Sequence, residues 1–120
     1  MNAGGERDLA AILAALEPKL ADARYTFAAA DGDSLADGDF ALIREDEGLT
    51  VIRSDSSGEL ARISLGAHSS LDAVGLTAIL TARLAEAGIA ANVVAGLRHD
   101  HLFVPWDRRE EALALLEALA

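Results

Sequence analysis

The residues of this 120-residue chain with chemistry to offer are three histidines, a few serines and an excess of carboxylates. His99, Asp100 and His101 are consecutive, and together with His68 they carry the imidazole and carboxylate groups that zinc and related ions favour. Along a strand, His99 and His101 share one face while Asp100 takes the other, and in a turn all three diverge. A tight hairpin therefore accounts for the triplet better than a metal site. The same imidazoles could act as general bases, but there is no cysteine and no G-x-S-x-G elbow to supply a nucleophile. Ser64, Ser69 and Ser70 fall at a strand end and a helix start, where hydroxyls usually satisfy backbone donors. The aspartates at 31, 33, 37 and 39 resemble a calcium loop, yet Leu35 and Ala36 stand where such a loop wants an oxygen ligand and a glycine. The expectation is no metal, no cofactor and no enzyme.

Composition narrows the class further. Hydrophobic residues make up 52% and charged residues 25% of the chain, which supports a packed interior and argues against disorder. The length suffices for one modest core, or for two half-domains that share one. Acidic residues outnumber basic ones 20 to 10, a formal charge of −10, so the overall field repels phosphate backbones and anionic membranes. Neither nucleic acid nor a membrane is expected as a partner. Met1 to Asp8 is small and charged, and no apolar run is long enough to span a bilayer, so a cytoplasmic location is expected.

The elements that would position these groups can be read from periodicity. Leu9, Ile12, Leu13, Leu16 and Leu20 have helical spacing, limited by Pro18. Arg24 to Ala30 reads as a strand, Asp31 to Asp39 as an exposed loop, and the runs Phe40–Arg44 and Leu49–Arg53 as a hairpin turning at Glu45 to Gly48. After a linker at Ser54 to Glu59, Ala61, Ile63 and Leu65 alternate with polar residues as a strand. Ser69 and Asp72 have the spacing of a capping box, which predicts a helix starting there and carrying Leu76, Ile79, Leu80 and Leu84 until Gly88. A second hairpin is expected from Ile89–Leu97 and His101–Val104. A last helix follows, capped by Asp107 and Glu110 and carrying Leu113, Leu116 and Leu119. The second half thus runs βαββα, a split βαβ arrangement without its closing strand, and the N-terminal strands could fill that edge.

The stretch ARISLGAHSSLDAVGLTAILTARLAEAGIAANVVAGLRHDHLFVPWDRREEALALLEAL, residues 61–119, resembles the ACT-domain proteins related to aspartate kinase regulatory regions. FALIREDEGLTVIRS, residues 40–54, is similar to the N-terminal half of the stand-alone members, in which two ACT-like units occur in tandem. HSSLDAVGLT and HDHLFVP are the most specific segments. The resemblance implies an α+β, ferredoxin-like (ACT-like) βαββα fold at 60–120. It also implies an abbreviated N-terminal ACT-like unit at 1–59, one helix and three strands, that completes the sheet.

It further implies a regulatory module without catalytic activity that binds a small amino acid or related metabolite, acts allosterically and forms a homodimer. The implied ligand-binding residues lie in the loop after the first strand, His68, Ser69, Ser70, Leu71, Asp72 and Gly75, and on the neighbouring second strand, Asn92, Val93 and Val94. A helix start there would offer amide donors to a ligand carboxylate. Ser69 and Asp72 are equally well explained as helix caps, and Gly75 as a packing glycine. The competing function is a constitutive protein–protein assembly module with no ligand.

Overall fold

The computed structural model describes residues 5–120; residues 1–4, the start of the expected first unit, lie outside the described residues. The chain folds as α1 (Leu9–Ala14), β1 (Pro18–Ala29), β2 (Asp39–Glu45), β3 (Gly48–Ser54), β4 (Leu60–Leu65), α2 (Leu76–Glu86), β5 (Asn92–Ala95), β6 (Asp100–Pro105) and α3 (Arg109–Glu117), with a 3-10 turn at Trp106–Arg108. All six strands form one antiparallel sheet in the order β2-β3-β1-β4-β6-β5. The α+β, ferredoxin-like fold is as the sequence implied, and β4-α2-β5-β6-α3 is the βαββα unit.

Its closing strand comes from the N-terminal half. Pro18–Leu20 pair with Leu65–Ile63, and Arg24 and Tyr25 pair with Ala61 and Leu60. Tyr25–Ala29 then pair with Ser54–Thr50 of β3. A bulge between Leu20 and Arg24 adds twist where the strand passes from one neighbour to the next. The sequence pattern runs α1 on to Leu20, but the helix ends at Ala14. Glu17, at φ 46°, reverses the chain, and Pro18, which has no amide to donate, opens the strand instead.

The alternation in β4 decides the two faces. Ala61, Ile63 and Leu65 are buried with Leu102 and Val104 of β6 beneath Ile12, Leu16, Leu76, Leu80, Leu84, Ala112 and Leu116 from the helical layer. The opposite face holds a second core of Tyr25, Ile52 and Phe103, with Phe40 and Val94 packed on it. Phe40 on β2 meets Phe103 and His101 on β6, at ring-centroid distances of 5.5 and 4.9 Å. Three strands stand between β2 and β6 in the sheet order, so the sheet curls until its first and fifth strands touch across the concave face. Phe103, wholly buried, also meets Tyr25 at 5.6 Å and Phe27 at 5.4 Å, edge to face, the arrangement that ring quadrupoles favour.

Two expected caps are not formed. Neither Asp107 nor Glu110 caps α3 with its side chain; the last helix follows the 3-10 turn, with Arg108 as its N-cap residue. Glu110 and Glu111 instead place acidic charge in its first turn, where the helix dipole favours it.

Truncating the ring at the centre of the concave core, Phe103→Ala, is expected to cost about 3–5 kcal/mol in urea unfolding, with the sheet losing its curl as well as its stability. His101, in the same layer, has its pKa lowered from 6.5 mainly by burial, then by Arg62 and His99, with Asp100 opposing. The unfolded chain therefore binds more protons near pH 6, so His101's contribution is fully favourable above the unfolded value. It declines as pH falls through that value toward the lower folded one. Thermal unfolding between pH 7.5 and 5.5 should show this loss in the native protein and a flatter profile in His101→Gln.

Candidate functional site

Between the end of β4 and α2 the chain is irregular, and what shapes it is a contact with the N-terminus rather than the expected capping box. The Glu6 amide donates to the His68 carbonyl (2.8 Å), and the Ser70 amide donates to the Glu6 carbonyl (2.6 Å), a short parallel bridge. Gly5 approaches so closely that a Cβ there would lie 2.7 Å from the Ser69 carbonyl carbon and the Ser70 nitrogen. The Ser70 hydroxyl accepts from the Asp72 amide at 3.1 Å, and the Ala73 amide donates to the Ser70 carbonyl, closing a local turn. This turn replaces the first helical turn that the Ser69–Asp72 spacing suggests. The helix begins at Leu76 instead, behind Gly75 at φ 96° and without any side-chain cap.

A cavity of about 100 Å³ opens between this loop, the start of α2 and the β5–β6 turn. Ser69, Ser70, Leu71 and Ala73 line one side, Leu76 and Thr77 the helix start, and Ala95, Gly96 and Asp100 the far wall. The first intrahelical bond of α2 runs from the Ile79 amide to the Gly75 carbonyl, so the amides of Leu76 to Ala78 point out of the helix end as donors. Across the cavity, Asp100 accepts from the Ser69 hydroxyl at 3.2 Å. Ser69 and Ser70 are buried, whereas Leu71 on the lining, and Val74 and Leu97, which follow the lining residues Ala73 and Gly96 in the chain, are 61%, 84% and 47% exposed.

Of the residues singled out from sequence, Ser69, Ser70 and Leu71 line this cavity and Gly75 sets the helix start beside it. Asp72 is exposed on the turn. His68 contributes its carbonyl to the Glu6 bridge and its ring faces His99 at 6.3 Å. Asn92 to Val94 lie further along β5: Asn92 is exposed, Val93 packs on the helical core and Val94 on the concave one. Their neighbours Ala95 and Gly96 supply the wall. Asp100 is the residue that sequence reasoning missed, because it was read only as part of a His-Asp-His turn. The signal was strand parity: Asp100 shares the helix-facing side of β6 with Leu102 and Val104, and His101 shares the other with Phe103. Among the described residues no group of three or more His, Asp or Glu side chains is arranged to hold a metal ion. No helix among them is long and apolar enough to cross a membrane.

Two family models, both described as ACT domain, match the chain at residues 4–67 and 56–118. No curated protein matches it. Among solved structures, the chain is similar to a Vibrio cholerae protein of unknown function, described as a possible transport protein. The two are 38% identical over 93% of this chain and 95% of that one, with a TM-score of 0.77. An Agrobacterium tumefaciens protein, 20% identical, has the same fold across 87% of this chain and 88% of its own, with a TM-score of 0.65.

Gly5→Ala should force the N-terminal strap off the loop. A loss of about 1–3 kcal/mol is expected from the overpacking, together with faster hydrogen exchange at the Ser70 amide than at amides within β4.

Proposed function

The chain belongs to the ACT-domain family, and we propose that it is a regulatory module, without catalysis of its own, that binds a small amino acid in the cavity between the Ser69–Ala73 loop, α2 and Asp100. ACT domains are in general small-molecule-binding regulatory modules. The observation that carries the finer reading is a complementary pair of walls. Uncapped amides at the start of α2 suit a carboxylate, and the Asp100 carboxylate opposite suits an ammonium. At about 100 Å³ the cavity has the room of roughly three waters, well below the several hundred Å³ of sites for drug-sized ligands. That size favours the smallest amino acids. Asn92, Val93 and Val94 act from behind the wall that Ala95 and Gly96 form, and His68, Asp72 and Gly75 shape the loop.

The units at 1–59 and 60–120 share β1, and ligand binding would act by favouring one arrangement of the loop and its surroundings over another. Leu71 on the lining, and Val74 and Leu97 next in the chain to lining residues, are exposed and support a homodimer that covers the site; the protein is read as cytoplasmic. The same apolar residues favour the second reading, constitutive assembly without a ligand.

Calorimetry of the folded protein with a panel of free amino acids separates the two. Heat and a thermal shift with the smallest members are expected under ligand binding; silence across the panel sinks it and leaves assembly. Asp100→Asn keeps an acceptor for Ser69 but removes the charge, and should weaken binding by roughly 10- to 100-fold, the worth of a charged hydrogen bond. Stability measured alongside should be nearly unchanged.

A further inference from the structure

A second cavity, of about 410 Å³, lies on the side of the sheet away from the helices, where Lys19, Arg62, Ser64, His99 and His101 line it together with Glu17. Its floor is a cross-strand row. Lys19 of β1 stands opposite Ser64 of β4, and Ser64 stands opposite His101 of β6, so the three side chains rise from adjacent strands on one face. Arg62, two residues before Ser64, is held in place from several directions. Its Nε donates to the Tyr25 hydroxyl at 3.2 Å, its Nη1 donates to the Ser64 hydroxyl, and its guanidinium lies 5.3 Å from the Tyr25 ring centroid and 4.8 Å from that of Phe40. The Ser64 hydroxyl is also hydrogen-bonded to His101 Nδ1, 2.7 Å away, and in the protonated ring Nε2 is a further donor.

What this arrangement lacks is a counter-ion. In a chain with 20 acidic and 10 basic residues, every cation has a surplus of carboxylates to pair with, yet Arg108–Glu111 is the one ion pair among the described residues. Arg62 is half-buried against aromatic faces, where a cation is partly stripped of water and attracts an anion more strongly than on an open surface. Glu17, the one carboxylate lining the cavity, lies over Gly66, where an added Cβ would meet its Oε2 at 2.9 Å. Gly66 is two residues beyond Ser64, whose hydroxyl Arg62 meets, and no ion pair joins Glu17 to Arg62. The lining at Arg62 is therefore cationic within a protein that is strongly anionic as a whole.

We propose that the pocket formed by Lys19, Arg62, Ser64 and His101 is a binding site for a small oxyanion, the phosphate or carboxylate group of a metabolite, separate from the cavity at Asp100. Arg62 provides the planar donor fork, Lys19 a flexible point charge, and His101 a directed donor. A guanidinium already oriented by Tyr25 and Ser64 loses little freedom on binding. The imidazole also supplies a reporter. The cavity around it is lined by Arg62 and Ser64 from β4, Lys19 from β1 and Glu17 just before that strand; the Phe40 ring of β2 lies against it, and His99 and Asp100 precede it in the chain. An anion seated among these groups favours the protonated ring, so binding should strengthen as pH falls from about 7.5 toward the unperturbed imidazole value near 6.5.

The test is NMR of the three imidazoles during titration with inorganic phosphate, malonate and chloride at matched ionic strength. The expected result is a saturable shift of His101, with a rise in its pKa, for phosphate or malonate, while His68 stays put and chloride has no comparable effect. A response to phosphate alone or to malonate alone supports the site and identifies the group it takes. Arg62→Gln should weaken that binding at least about tenfold. Because Arg62 also props Tyr25 and Phe40, the exposed Lys19→Gln serves as a second variant that leaves folding untouched and should weaken binding severalfold. An equal response to chloride, or binding indifferent to both substitutions, overturns the proposal. The amino-acid reading of the Asp100 cavity survives that outcome, because its own test reads different residues and different ligands.

Discussion

The pairing of β1 with β4 is the constraint on which the rest of the molecule depends. A βαββα unit leaves one edge of its first strand with unpaired amides and carbonyls, and such an edge must be covered or it recruits other chains. Here Pro18–Tyr25 cover it, and the same strand runs on to pair with β3. The strand register then continues into the loop beyond β4. The Gly66 and Ala67 amides donate to the carbonyls of Glu17 and Leu16, so the turn into β1 and the exit from β4 are tied together. Glu17 and Gly66 of this tie line the cavity at Arg62, and the loop that lines the Asp100 cavity begins just beyond it at Ser69.

The curl of the sheet follows from the same continuity. With β2 and β3 attached through β1 alone, the N-terminal hairpin is free to bend toward β6, and aromatic rings from Tyr25, Phe27 and Phe40 close on Phe103. Two cores result, a larger aliphatic one under the helices and a smaller aromatic one in the concavity. The aromatic one also holds Arg62 and His101 in place. The loop after β4, by contrast, is crossed by backbone from the N-terminal half: Gly5 and Glu6 lie across His68–Ser70.

Most of the fold was legible because it is written in short-range patterns. Alternation marks β4, the Glu45–Gly48 turn marks the β2–β3 hairpin, and Gly88 at φ 73° ends the α2 region. The errors fall where a distant partner overrides a local signal. Ser69 and Asp72 have the spacing of a cap, but the Ser70 amide is taken by Glu6, more than sixty positions away, and the helix starts later. Leu20 continues the helical stripe, yet it pairs with Ile63 and packs on the core as a strand residue. The loop side of the candidate site was legible in Ser69, Ser70 and Leu71. The other wall of the cavity is formed by Ala95 and Gly96, next along β5 from the expected Asn92–Val94, and by Asp100, which stands between two more conspicuous histidines. The aromatic core was invisible because its rings are dispersed at 25, 27, 40 and 103, and only the curl assembles them.

Asp100 and His101 are adjacent in the chain but stand back to back, the carboxylate toward the helices and the imidazole toward the concavity. Because strand side chains alternate, that division holds only while β6 keeps its phase against β4 and β5. The phase is set by the Gly96–His99 turn, whose ends are joined by the Gly96 amide and the His99 carbonyl at 2.9 Å. Surface turns are ordinarily where chains gain and lose residues freely. In this one, an insertion or deletion that slipped β6 by a single position would exchange acid for base on both sides of the molecule at once, so its length carries information that its composition does not.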